Sequence, residues 1–221
     1  QIQDIYALSP LQDGILFHHM MAEKGDPYLQ RALLCAHERG SVDRFLDAVQ
    51  QVVDRHDILR TAFFWNGLSR PAQVVLRHAE IEVTSWTLDA ADGPVADQLM
   101  ARVDPRDHRI DLGRAPLLRF DIAKDASTDR WYVALRLHHL IIDHAGLDIL
   151  LDEVKTILAG QGESLPPAEP FRRLVAQARL GIGKAEHEAY FCDQLGDVET
   201  FCLPIGAGEK QAEDYDGGEW Q

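Results

Sequence analysis

"LRLHHLIIDHAG", Leu135 to Gly146, closes a run of alternating apolar and polar residues near the middle of the chain. Alternation with a period of two predicts a strand. On it Leu135, Leu137, His139 and Ile141 share one face, while Arg136, His138, Leu140 and Ile142 share the other. The two histidines therefore point opposite ways, and they cannot both ligate one metal or both reach one substrate. One faces chemistry; its neighbour needs a structural partner. Asp143, at the strand end, either orients an imidazole or holds the turn by pairing with an arginine. Upstream, "PLLRFDIAK" alternates in the same way, and "DASTDR" joins the two runs as a hairpin. Downstream, "GLDILLDEVKTILAG" reads as a helix with Gly160 beyond its end.

Further outward, "LSPLQDGILFHHMMAEKG" offers Ser9 as an N-cap and Pro10 at the first helical position. Leu11, Ile15, His18 and His19 follow at helical spacing, and Gly25 closes the segment. His18 and His19 read as helix-face residues, Gln12 and Asp13 as surface or capping residues. "QRALLCAHERG" reads as a strand. In "SVDRFLDAVQQVVDRHDILRTAFFW", Val42, Phe45, Leu46, Val49, Val52 and Val53 keep the 3.6 period behind Ser41 as N-cap. Arg55 and His56 fall at that helix's end, where a positive charge suits the dipole, and they are placed outside the site. "AQVVLR" and "IEVTSWTL" predict strands, and "GPVADQLMARVDPRDHRIDL" a helix ending near Asp104-Pro105. "FRRLVAQARLGIGKAEHEAYFCDQLGD" predicts one or two more helices. The class is α/β (α+β), a two-layer sandwich with one mixed sheet flanked by helices.

Composition narrows the function. The 221 residues carry a net charge of -14, and the sequence pI is about 5.0. Nucleic-acid binding wants a basic face and is excluded. No apolar run reaches the length of a membrane span. Cys35, Cys192 and Cys202 are odd in number and lack C-x-x-C spacing, so neither a disulfide framework nor a zinc site is expected. A reducing, cytoplasmic setting fits. The remaining histidines show no i, i+4 pair for a metal, and no G-x-S-x-G supplies a nucleophile elbow.

Five motifs stand in a telling order: "SPLQDGILF" from Ser9, "RHDILRTAF" from Arg55, "DLGRAPLLR" from Asp111, "HHLIIDHAG" from His138 and "FRRLVAQARL" from Phe171. Together they resemble, in order and spacing, the condensation domains of nonribosomal peptide synthetases. That family belongs to the chloramphenicol-acetyltransferase-like superfamily, whose two similar lobes flank a tunnel. The resemblance runs from Leu8 to about Asp197 and covers only the N-terminal lobe. Residues 1–200 are expected to form that lobe, and 201–221, rich in Gly and acids, a linker toward a missing C-terminal lobe. An excised lobe of this kind is expected to be inactive alone and to expose an apolar inter-lobe face.

The resemblance implies amide formation between a donor thioester and an acceptor amine, both held on phosphopantetheine arms of partner carrier domains. No cofactor or metal belongs to the domain itself. It implies His139 as the catalytic histidine and His138 as its support. Asp143 is implied to pair with Arg60 and fix the turn; breaking one side of such a buried pair would cost on the order of 3–5 kcal/mol. His144 departs from the family, which carries glycine there, so His144 and Gly146 are marked as tunnel-proximal; an imidazole at 144 either narrows or blocks the tunnel or leans away from it. Two alternatives remain open. One is an inactive condensation-like domain that recruits a tailoring hydroxylase or oxygenase; the other is an epimerisation domain, which "SPLQDGILFHHM" also resembles.

Overall fold

The structure, a computed structural model, describes residues 1–198. The chain divides into one unit, Gln1–Gly181, and a second that starts at Ile182.

In the first unit, β1 (Ile2–Ala7) leads into α1 (Pro10–Met21). Ser9 starts this helix as predicted. Its Oγ accepts from the Gln12 amide at 3.1 Å, and Gln12 Oε1 accepts from the Ser9 amide at 2.8 Å, a reciprocal capping box. After β2 (Leu29–Ala36), α2 runs Arg39–Arg55 and buries Val42, Leu46, Val49, Val52 and Val53. Ser41 does not cap α2. The helix begins two residues before it, and the Ser41 hydroxyl instead accepts from the Arg44 guanidinium at 3.1 Å. A single 3-10 turn, Asp57–Arg60, precedes β3 (Thr61–Phe64). Then come β4 (Ala72–Leu76), β5 (Glu82–Trp86), α3 (Val95–Ala101), β6 (Leu118–Asp125) and β7 (Arg130–His138). α4 (His144–Leu158) and α5 (Phe171–Leu180) complete the unit. The second unit contributes α6 (Lys184–Leu195).

The expected class holds, with the strands divided between two sheets. β1-β4-β3 form an antiparallel sheet, and β2-β7-β6-β5 form a mixed one in which only β5 and β6 run parallel. The hairpin β6–β7 is present, and Asp129 at its turn adopts a φ of 53°. Phe120, Ile122, Val133, Leu135 and Leu137 face the main core with residues of α1, α2 and α4. Alternation sends Ala123 and Ala134 to the opposite face, where Val95, Leu99 and Val103 cover them. That α3 cover is a layer beyond the two expected. The compact core ends at Gly181, and the expected linker 201–221 lies outside the described residues. Among the described residues no helix is long and apolar enough to cross a membrane.

Phe120 is 1% exposed and meets Phe45 edge-to-face at 6.0 Å, at the centre of the core. Phe120→Ala is expected to remove about 3–5 kcal/mol of stability in equilibrium urea unfolding.

Candidate active site

β7 ends at His138, and the backbone holds both histidines from opposite sides. The His138 amide donates to Leu117 O at 3.1 Å, and the His139 amide donates to Tyr28 O at 2.9 Å. The two amides thus point to opposite neighbouring strands. His138 is fully buried, while His139 is partly exposed.

The partner that His138 requires is Asp26, itself 2% exposed. Asp26 Oδ2 lies 3.0 Å from His138 Nε2 and 2.5 Å from His19 Nδ1, and Oδ1 accepts from the Tyr28 amide at 3.0 Å. His138 Nδ1 accepts from the Leu140 amide at 3.1 Å. An imidazole nitrogen that accepts carries no proton, so the neutral ring bears its proton on Nε2, facing Asp26. His19 is therefore no surface residue of α1. It is 6% exposed, and its ring meets that of His138 edge-to-face at 5.7 Å. The sequence held one cue for this pair: glycine then aspartate in the loop that follows the helix. Gly25 has a φ of 67°, and a Cβ there would lie 2.6 Å from the carbonyl oxygens of Pro105 and Arg106. Only glycine lets the loop pack so closely.

His19, Asp26 and His138 offer ligand atoms within 4.8 Å of one another, close enough to hold an ion. The hydrogen bonding does not suit one. A metal on His138 Nε2 would move the ring proton to Nδ1, where it would meet the Leu140 N–H.

His139 takes the opposite tautomer. Its Nδ1 lies 3.1 Å from Ile142 O, which can only accept, so Nδ1 carries a proton, and in the neutral ring Nε2 is the basic nitrogen. The residue lines a cavity of about 390 Å³ whose walls include Leu11, Ile15, Ile58, Ile149 and Leu174. Leu11, Ile149 and Leu174 are more than half exposed. Gln12 ties α1 to this site, since its Nε2 donates to Leu140 O at 2.9 Å.

The expected Asp143–Arg60 pair does not form. Asp143 is exposed and caps α4, its Oδ1 accepting from the Gly146 amide at 2.8 Å. Arg60 is 5% exposed and spends its donors on Val53 O, Leu76 O and Gln3 Oε1, joining the end of α2 to the β1–β4 sheet. Aspartate is a strong N-cap, and the four residues from His139 to Ile142 carry Asp143 to a helix start. His144 is the first residue of α4, exposed and absent from the cavity wall, so it does not narrow this space. Gly146 does line it. A Cβ there would lie 3.0 Å from Ile142 Cγ1 and 3.2 Å from Asp143 Oδ1. Arg55 and His56, left outside the site, instead grip the buried Glu153 of α4 at 3.0 and 2.9 Å, and His56 reaches the cavity wall.

With this geometry in view, comparison decides the family. The family model "Condensation domain" matches residues 2–220. The chain belongs to the condensation domain family. Its sequence relatives are named as synthetases and synthases. Malpinin synthetase of Mortierella alpina is 55% identical over 208 residues, covering 94% of this chain and 3% of that protein. Tyrocidine synthase 2 of Brevibacillus parabrevis is 29% identical over 203 residues, covering 86% of this chain and 6% of that protein. The crystal structure of the starter condensation domain of rhizomide synthetase RzmA superposes with a TM-score of 0.67 at 22% identity, and so shares the fold. That match covers 89% of this chain and 49% of RzmA's, so the chain spans about half of the solved domain and a small part of the synthetases.

Two expectations follow for this condensation domain. Asp143→Ala should cost only about 1 kcal/mol in urea unfolding, the loss of a cap, and Asp143→Asn should cost less. The second concerns pH. Burial pushes the His138 imidazole below its ordinary value, against the pull of Asp26. Burial also works to raise Asp26, but hydrogen bonds from His138 and His19 outweigh it and hold the carboxyl well below the usual range. Both groups bind protons less readily folded than unfolded, so both lose stability as pH falls. His138 acts first, from about pH 6.5 downward, and Asp26 only below about pH 4. Urea midpoints should fall between pH 7 and 5, and fall less in His138→Gln.

Proposed function

We propose that this condensation domain forms an amide bond, with His139 as the residue at the reaction centre. One observation carries the reading: the His139 ring donates from Nδ1 to Ile142 O, which makes Nε2 the basic nitrogen of the neutral ring, and the residue lines an apolar cavity. In the reaction, an acceptor amine attacks the carbonyl of a donor thioester, the C–N bond forms, and the C–S bond breaks to release a thiol. The amine must lose a proton. A neutral imidazole accepts or steers that proton near pH 7 without a large shift in pKa. Both substrates arrive as phosphopantetheine thioesters on carrier domains, and the apolar wall keeps water from competing for the thioester.

The domain would need a second lobe to close this space and seat both arms, so the 221 residues alone are expected to be inactive. The recruitment of a tailoring enzyme drew on His144 as an obstruction, and His144 does not line the cavity beside His139.

The test uses the two-lobed protein with donor- and acceptor-loaded carriers, and follows amide product by mass spectrometry. His139→Ala should lower kcat roughly 100- to 10,000-fold. Product formation by His139→Ala at the wild-type rate would remove His139 from the chemistry.

A further inference from the structure

We infer that Asp26 is a positioning residue for the reaction centre, and that His19 holds its carboxylate in place. The inference rests on the amide-forming reading above and adds what sets the histidine pair.

Asp26 reaches both histidines of the pair by separate routes. The first is direct: Oδ2 accepts from His138 Nε2 at 3.0 Å, and the Leu140 amide closes the other side of the same ring at 3.1 Å. The second passes through one residue. Tyr28 donates its amide to Asp26 Oδ1 at 3.0 Å and accepts the His139 amide on its carbonyl at 2.9 Å. The Tyr28 ring also stands edge-on to the His139 ring at 6.5 Å. A displaced Asp26 would thus free the His138 ring and shift the strand edge that seats His139.

The carboxylate is itself fixed from behind. The Asp26 amide donates to Pro105 O at 2.8 Å, and the φ of Gly25 allows that approach. Arg109 donates to the carbonyl oxygens of His19 and Ala22 at the end of α1. His19 Nδ1, at 2.5 Å, supplies the second donor to Oδ2. Three protein donors converge on this buried anion, and each sets its direction. Neither Asp26 nor His19 lines the cavity beside His139.

An amide at position 26 cannot copy this arrangement. Either its NH2 faces the two ring N–H donors, or it faces the Tyr28 N–H. Asp26→Asn in the two-lobed protein should therefore lower kcat about 10- to 100-fold, as loss of an outer-shell partner does, with KM for each loaded carrier unchanged. His19→Ala should lower kcat about tenfold. His19→Asn, whose amide nitrogen takes the place of Nδ1, should restore most of that loss. Asp26→Asn combined with His19→Ala should be no slower than Asp26→Asn alone, because His19 acts through the carboxylate. Rates are compared at equal folded fraction from urea unfolding, and if Asp26→Asn does not fold, the two His19 variants decide. A kcat within twofold of wild type in Asp26→Asn, equal rates for His19→Ala and His19→Asn, or a change confined to KM would each overturn the inference. A wild-type protein that makes no amide would sink the underlying reading instead, and this inference with it.

Discussion

The Asp26 carboxylate is buried between two imidazoles and a backbone amide, and both histidines of the motif are referred to it. An ionised group at 2% exposure survives only if nearly every lone pair is used. Here the donors come from α1, from the residue before β2 and from the end of β7. Satisfying one charge thus pins three elements to each other. The cavity beside His139 has its shape because those elements cannot slide independently.

Glu153 repeats the solution on a smaller scale. It is 8% exposed on α4 and takes Arg55 and His56 from the end of α2. Burial works to raise its carboxyl, and the two donors more than offset it, leaving the group below its ordinary value. The helices that cover the main core therefore share both an apolar seam and a fixed polar clamp beside the cavity. The apolar seam sets how close they lie; the clamp sets their register.

Local signals were readable in advance because their causes are local. Ser9 and Pro10 start α1, "DASTDR" turns the β6–β7 hairpin, and alternation through Leu135–His139 sends the two histidines apart. Each depends on neighbours within a few residues. Where local signals competed, the outcome turned on the surroundings: Ser41 has the chemistry of a cap, but the chain already turns helical at Arg39. β1 went unpredicted because Ile2–Ala7 gains its order from pairing with β4, far along the chain at Ala72–Leu76. The polar contacts were the least legible. His19 meets Asp26 across a helix end, and Arg60 chose backbone carbonyls over Asp143; neither choice leaves a periodic trace. The identity of the motif histidines could be read, and the identity of their partners could not.

Gln12 shows how narrow such a solution can be. Its Oε1 accepts from the Ser9 amide and from Gln73 Nε2, while its Nε2 donates to Leu140 O. Glutamate would set a second oxygen against the Leu140 carbonyl, and methionine would take away the side-chain partners of the Ser9 amide and of Leu140 O, while Gln73 Nε2 would keep only Ala7 O. Asparagine falls one carbon short of both ends. The position thus admits a single residue for reasons of donor and acceptor parity, although it sits in the first turn of a helix, where sequence drift is ordinarily free. Position 12 should therefore tolerate substitution as poorly as a residue of the reaction centre, on whose cavity wall it stands.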